Sequence, residues 1–131
     1  MSENVELLRR GFEALARRDM EAADVIMRKH YTPDFEFESA LTGQVHKGAQ
    51  GMRDLASDLW DTLDYVPAVE EIIDFGEHVV VVLRISGRGA GSGVPVSQRV
   101  TILWTFEDGW IVRGKSFTSR AEALEAAGLR E

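Results

Sequence analysis

The stretch Val96-Ser97-Gln98-Arg99-Val100-Thr101-Ile102-Leu103-Trp104-Thr105-Phe106-Glu107-Asp108-Gly109-Trp110-Ile111-Val112-Arg113-Gly114-Lys115-Ser116-Phe117 decides the fold class. Two runs rich in β-branched and aromatic residues flank Asp108-Gly109, a dipeptide that accepts the left-handed backbone of a tight hairpin turn. The pattern predicts strands over 96–106 and 110–117. Upstream, residues 78–87 hold four consecutive valines, Val79 to Val82, and predict another long strand. Residues 69–75 predict one more, ended by Gly76-Glu77. Between these long strands, Gly87 to Gly93 place four glycines in seven residues, the mark of a hairpin tip able to act as a flap. No helix follows this tip, so it lacks the geometry that cradles a phosphate. Downstream, Ser119 caps a closing helix over 120–127 and Gly128 stops it.

The N-terminal half carries a different period. Val5, Leu8, Phe12 and Leu15 recur at three- and four-residue steps and share one helical face, with Ser2 or Asn4 as cap. Asp19 caps a second helix bearing Ala22, Ala23, Ile26 and Met27, ended at Tyr31-Thr32-Pro33-Asp34 because a residue preceding proline avoids helical geometry. Phe35-Glu36-Phe37-Glu38 alternates as a short strand. Met52, Leu55, Ala56, Leu59, Trp60 and Leu63 then form the stripe of a third helix.

Helices first and a four-strand meander after give an α+β domain, a cone-shaped curved antiparallel sheet packed against three N-terminal helices. Such a cone leaves a mostly apolar cavity where side chains do not fill it. The 131 residues suit one domain, 1–131, and the 44% apolar and 28% charged fractions are those of a globular chain.

A net charge of −7 argues against nucleic acid as partner, which calls for clustered Lys and Arg. Arg9-Arg10 and Arg17-Arg18 are diluted by Glu6, Glu13, Asp19 and Glu21 and read as solvated helix surface. The absence of cysteine removes disulfides, thiolate metal sites and a cysteine nucleophile. Met1-Ser2-Glu3-Asn4 has no signal-peptide pattern, and the run from Val79 to Leu83 is far too short to span a membrane. By elimination the expectation is a cytoplasmic protein with no membrane partner. No His, Asp and Glu cluster has metal-ligand spacing, so no metal and no cofactor are predicted.

The order helix–helix–strand–helix–meander resembles the nuclear transport factor 2-like superfamily (cystatin-like in its curled sheet) and, within it, the SnoaL-like proteins. The resemblance is carried by Ile73-Asp74-Phe75-Gly76-Glu77-His78-Val79-Val80-Val81, by Gly87-Arg88-Gly89-Ala90-Gly91-Ser92-Gly93 and by Trp104-Thr105-Phe106-Glu107-Asp108-Gly109. The ending Arg120-Ala121-Glu122-Ala123-Leu124-Glu125-Ala126-Ala127-Gly128-Leu129 is also similar. The superfamily includes ketosteroid isomerase, limonene epoxide hydrolase and polyketide cyclases, together with non-catalytic binding and dimerisation domains. Fold alone therefore implies no single activity.

Set against the isomerase, the position of its aspartate base is Ser39, its oxyanion-hole tyrosine falls near Gly11 or Phe12, and its second aspartate near Ile102. None of these side chains can do the corresponding work. The aspartate–arginine–aspartate set of the epoxide hydrolase finds only Arg84, and no inward acid of the cyclase type is identified.

The resemblance directs Val80, Val82, Arg84 and Ser86 toward the pocket and leaves Val79, Val81, Leu83 and Ile85 as an apolar outer row. A homodimer through that outer sheet face is the expected cover, since an open face so apolar is a sticky patch. By the same comparison Phe35, Phe37 and Ser39, then Val100, Ile102, Trp104 and Phe106, then Val112, Gly114, Ser116 and Thr118 point inward, with Trp60 and Leu63 closing from the third helix. Phe37, Ser39, Trp60, Val82, Ile102, Trp104 and Ser116 are thus the candidate ligand contacts, and Gly114 and Ser116 leave room near the floor.

Arg84 and His46 are the candidate catalytic residues. A guanidinium facing an apolar pocket can bind a carboxylate, phosphate or enolate, or stabilise a developing oxyanion. Alternatively it pairs with Glu36, Glu38 or Asp34, or reaches solvent. His46, in the loop before the third helix, either rims the pocket as a proton shuttle or is a surface residue. Trp60 and Trp104 serve equally as plain core. A register shift of one residue at 35–38 would turn Glu36 and Glu38 inward instead of the two phenylalanines.

These readings combine into a small-molecule-binding pocket for an apolar organic ligand, with an anionic or enolisable group near Arg84. As an enzyme it would be a cofactor-free isomerase, cyclase or hydrolase. The alternative is a non-catalytic ligand-binding or dimerisation module of the same fold.

Overall fold

The structure, a computed structural model, describes residues 2–40 and 42–128, so Met1 and Leu129 of the motifs above lie outside it. Helix α1 (Glu3–Ala16) starts at Ser2, whose Oγ accepts from the Val5 amide, and α2 (Met20–His30) starts at Asp19, whose carboxylate accepts from Ala22 at 3.0 Å. Strand β1 (Tyr31–Glu38) begins earlier than its Phe-Glu alternation suggested. A three-residue strand, β2 (Val45–Lys47), was too short to be legible as a period. Helix α3 (Gly48–Leu63) ends at Asp64, which holds a left-handed backbone with φ 49°. Strands β3 (Val66–Asp74), β4 (His78–Arg88), β5 (Pro95–Glu107) and β6 (Trp110–Phe117) follow, and α4 (Arg120–Ala126), capped by Ser119, closes the described chain. None of the described helices is long and apolar enough to cross a membrane.

The six strands form one open sheet in the order β2-β1-β6-β5-β4-β3. Among the described residues its one parallel pair is β1 with β6, a contact between chain segments too far apart for the meander pattern to have revealed. Bulges bend the sheet at two places in the meander. At the first, Val69 faces Leu83 and Glu71 faces Val82, so Glu70 is the additional residue. At the second, Phe106 pairs with Ile111 while Thr105 pairs with Arg113, and Ile111 rather than Val112 is fully buried in the core.

The faces of β4 are the reverse of the expectation. Val79, Val81, Leu83 and Ile85 belong to the main core beneath α1 and α3, and Val82 and Arg84 lie on the outer face. The register requires it, because Val79 pairs with Trp104, Val81 with Ile102 and Leu83 with Val100, and direct partners share a face. The driving force is burial: the first row is apolar throughout, whereas the second turns polar at Arg84. Val80 and Val82 are still buried. Val80 packs with Leu103 and Ala123 in a second cluster, to which Ile73, Phe117 and Leu124 add partly buried surface, so α4 itself covers this region. The apolar row that motivated a dimer through the outer face is therefore inside the molecule.

Candidate functional site

Between the helices and the inner sheet face lies a cavity of about 120 Å³. Its wall follows from the two periods seen in sequence. Leu8, Phe12 and Leu15 come from α1, Met52, Leu55 and Leu59 from α3, and alternate residues such as Phe37, Leu83, Ile102 and Trp104 from the sheet. Helix α2 turns Met20, Ala23, Ile26 and Met27 toward the same space.

Trp104 sits at the centre of an aromatic cluster. Phe35 stacks on it at 6.3 Å, Phe37 lies tilted at 5.7 Å, and Phe12 and Tyr31 meet it edge-on at 6.2 and 6.3 Å. Gly114 makes this approach possible: a Cβ there would lie 2.7 Å from Phe37 Cδ1 and 2.9 Å from Trp104 Cζ3. The space expected at Gly114 is thus taken by two rings, and the cavity lies beyond them. The indole N–H groups of Trp104 and Trp60 are buried without an acceptor among the described residues.

Of the residues expected to touch a ligand, Phe37, Ser39, Ile102, Trp104 and Ser116 line the cavity. The Ser116 hydroxyl accepts from the Ala40 amide at 2.6 Å, and Ser39 Oγ accepts from Thr42 at 3.3 Å. Trp60 is not in the wall; it stacks on Tyr65 at 5.6 Å, and Tyr65 is in the wall. The Arg18 guanidinium lies 5.2 Å over the Trp60 ring and pairs with Asp64.

Val82 and Arg84 do not reach the cavity, for the register reason given above. Arg84 donates to Glu70 at 2.9 Å and to Ser97 at 3.0 Å, and Arg99 donates to the other oxygen of Glu70 at 2.9 Å. Arg84 and Arg99 face each other across the strands, and Glu70 bridges the two like charges. Their hydrogen bonds, Arg84 first, hold the Glu70 carboxyl below its ordinary range. The bulge turns both Glu70 and Glu71 outward, and Glu71 takes a two-pronged bond from Arg120 of α4 at 2.9 and 3.0 Å. None of the carboxylates weighed for Arg84 is its partner: Glu36 and Glu38 are exposed beside Lys47 and Lys115. The 35–38 register places Phe35 and Phe37 inside, as the alternation predicted.

His46 pairs across strands with Phe37, bonds Thr42 Oγ1 through Nε2 at 3.1 Å, and is absent from the cavity wall. Of the wall's hydroxyl-bearing residues, sequence reasoning missed two, Tyr31 and Tyr65, and it placed Leu83 and Ile85, which also line the wall, on the opposite face. Tyr31 was read as a helix terminator. Tyr65 begins the alternation Tyr65, Pro67, Val69, a signal that was available. Burial pushes the Tyr65 phenol up to about 12, against a small opposing influence of Arg18, and pushes the Tyr31 phenol up as well. Neither phenol forms a hydrogen bond with a described residue.

Among the described residues the wall contains no carboxylate, imidazole, ammonium or guanidinium. Its polar side-chain groups are hydroxyls, phenols and the Trp104 indole N–H. Such a surface can donate hydrogen bonds to a ligand oxygen but has no group poised to abstract a proton. No group of three or more possible metal ligands occurs among the described residues.

Comparison with known proteins agrees with this architecture. The SnoaL-like domain family matches residues 8–114. An NTF2-like protein of unknown function from Burkholderia pseudomallei superposes with a TM-score of 0.77 at 21% identity, covering 95% of this chain and 97% of that one. A candidate SnoaL-like polyketide cyclase from Jannaschia sp. gives 0.73 at 24% identity, over 95% and 90% of the two chains. A candidate polyketide cyclase from Sinorhizobium meliloti gives 0.67 at 25% identity, over 86% and 94%. No curated protein matches the chain. The family match over most of the sequence, together with an open cone of the same topology, means that this chain belongs to the SnoaL-like domain family.

Proposed function

We propose that the protein binds a neutral, largely apolar organic molecule in the cavity between its helices and sheet, and that the wall side chains perform no acid–base catalysis. The observation that carries this reading is the wall itself, apolar and aromatic with only uncharged hydrogen-bonding groups among its described side chains. Burying a ligand carboxylate there without a cation would cost several kcal/mol, about the desolvation penalty of an unpaired ion. The anionic ligand expected from an inward Arg84 is therefore not part of the proposal. Both phenols stay protonated well above neutral pH, which suits them to donate to a carbonyl or ether oxygen. Structural relatives described as candidate polyketide cyclases support an organic ring compound as the class of ligand. The cyclase chemistry itself requires an acid or base that this wall does not supply.

A matched pair of ligands tests the reading. Benzyl alcohol should raise the melting temperature in proportion to the logarithm of its concentration, and benzoate should not, because only a ligand of the folded state stabilises it. Ala56→Phe, which fills the cavity from α3, should abolish the benzyl alcohol shift. A shift with benzoate alone would replace this reading with an anion site.

A further inference from the structure

We propose that the cavity takes a single six-membered ring bearing one oxygen acceptor, with the ring against Trp104 and the oxygen accepting a hydrogen bond from Ser116. This inference rests on the reading of the cavity as a ligand site. Pairing across three strands sets Phe37, Gly114 and Trp104 in one row on the inner face. The next row on that face holds Ser116 opposite Ile102. Rows two residues apart are separated by about 7 Å, which is the reach of a ring plus a substituent oxygen and its hydrogen bond.

Ser116 is held for this task. Its oxygen accepts from the Ala40 amide at 2.6 Å, and its own proton has no acceptor among the described residues. The residue is 6% exposed and lines the cavity, so an occupant of the cavity is what can accept from that donor. Size supplies the other constraint. An apolar cavity of about 150 Å³ is known to accept benzene, and about 120 Å³ here is of that order. A second fused ring would exceed that volume.

The test uses the full chain with cyclohexanone, its isostere methylenecyclohexane, which lacks the acceptor, and the two-ring 2-decalone. Affinities are read by ligand-observed NMR titration and by thermal shift. Cyclohexanone should bind about three- to tenfold more tightly than methylenecyclohexane, the span of one net hydrogen bond. Ser116→Ala should erase that preference while leaving methylenecyclohexane binding intact. Ser116→Cys, with a weaker donor, should reduce it and serves if the alanine variant does not fold. The decalone should bind worse than either. Equal affinity of the first two ligands, or a preference that survives Ser116→Ala, would overturn the role of Ser116. Tighter binding of 2-decalone would overturn the one-ring limit. Failure of all three ligands and of benzyl alcohol would remove the ligand-site reading as well.

Discussion

On the inner face of β4, Val79, Val81, Leu83 and Ile85 lie in the main core, with α1 and α3 packed against them. On its outer face Val80 packs with α4, Val82 is buried beside Thr101, and Arg84 and Ser86 continue onto a polar strip with Ser97 and Arg99. The same strand thus carries two buried rows, and their lengths differ. The inner row stays apolar along its whole length and borders a cavity, whereas the outer row is apolar only as far as one short helix can cover it. Partition follows the larger apolar area. A row of valines alone does not reveal which way a strand faces, but the position of its first charge does.

Exchanging chemistry between the faces gives the largest expected effect. Leu83→Lys buries an unpaired ammonium in the core and should cost at least about 4 kcal/mol in urea denaturation, enough to unfold many domains of this size. Next, Ala123→Asp should strip α4 from Val80 and Leu103 at a cost of about 2 kcal/mol or more. Its signature is protease cleavage within α4 while benzyl alcohol still binds the inner cavity. Retained α4 protection in that variant would mean that the outer cluster is not what holds the helix.

A smaller change is expected at the aromatic floor. Gly114→Ala would place its methyl 2.7 Å from Phe37 and 2.9 Å from Trp104, and the overpacking should cost about 1–3 kcal/mol with a changed near-UV circular dichroism spectrum. An unchanged spectrum would contradict the tight row described here. Acid should act on the outer face in particular. Glu70 and Glu71 have carboxyls held below their ordinary range by Arg84 and Arg120, so their contribution is present at neutral pH and is lost as pH falls through their lowered folded values. Urea midpoints measured on acidification should fall less steeply in Glu70→Gln than in the native chain. The smallest effect belongs to Arg84→Met, which should leave ligand affinity untouched and the neutral-pH urea midpoint near that of the native chain. Lost affinity in that variant would return Arg84 to the site.

Much of the cavity was legible because local alternation is a direct imprint of burial. Phe35 and Phe37 against Glu36 and Glu38 settled their own register, whereas the inward Ile102 and Trp104 came from the family resemblance, because Thr101 and Leu103 between them are buried as well. For Arg84 the apolar row Val79, Val81, Leu83 and Ile85 is the stronger signal than the family resemblance, because burying that row leaves the guanidinium outside. The bulge at Glu70 had a local trace in Val69-Glu70-Glu71-Ile72, where two polar residues interrupt an alternation that resumes in the opposite phase. Trp60 was right as a helix-face residue and wrong as a wall residue, because Tyr65 stands between it and the cavity.

By itself the sequence determined the order of the helices and of the strands other than β2, the caps at Ser2, Asp19 and Ser119, the Asp108-Gly109 hairpin and the apolar faces of α1 and α3. These depend on neighbours a few residues apart, where backbone preference and hydrophobic period act directly. Only the tertiary structure decided the parallel pairing of β1 with β6, the cover that α4 gives Val80 and the Glu70 bridge between Arg84 and Arg99. Each of these joins segments whose approach is set by competition for burial across the whole chain, and a local pattern states only that a face is apolar, not what will lie upon it.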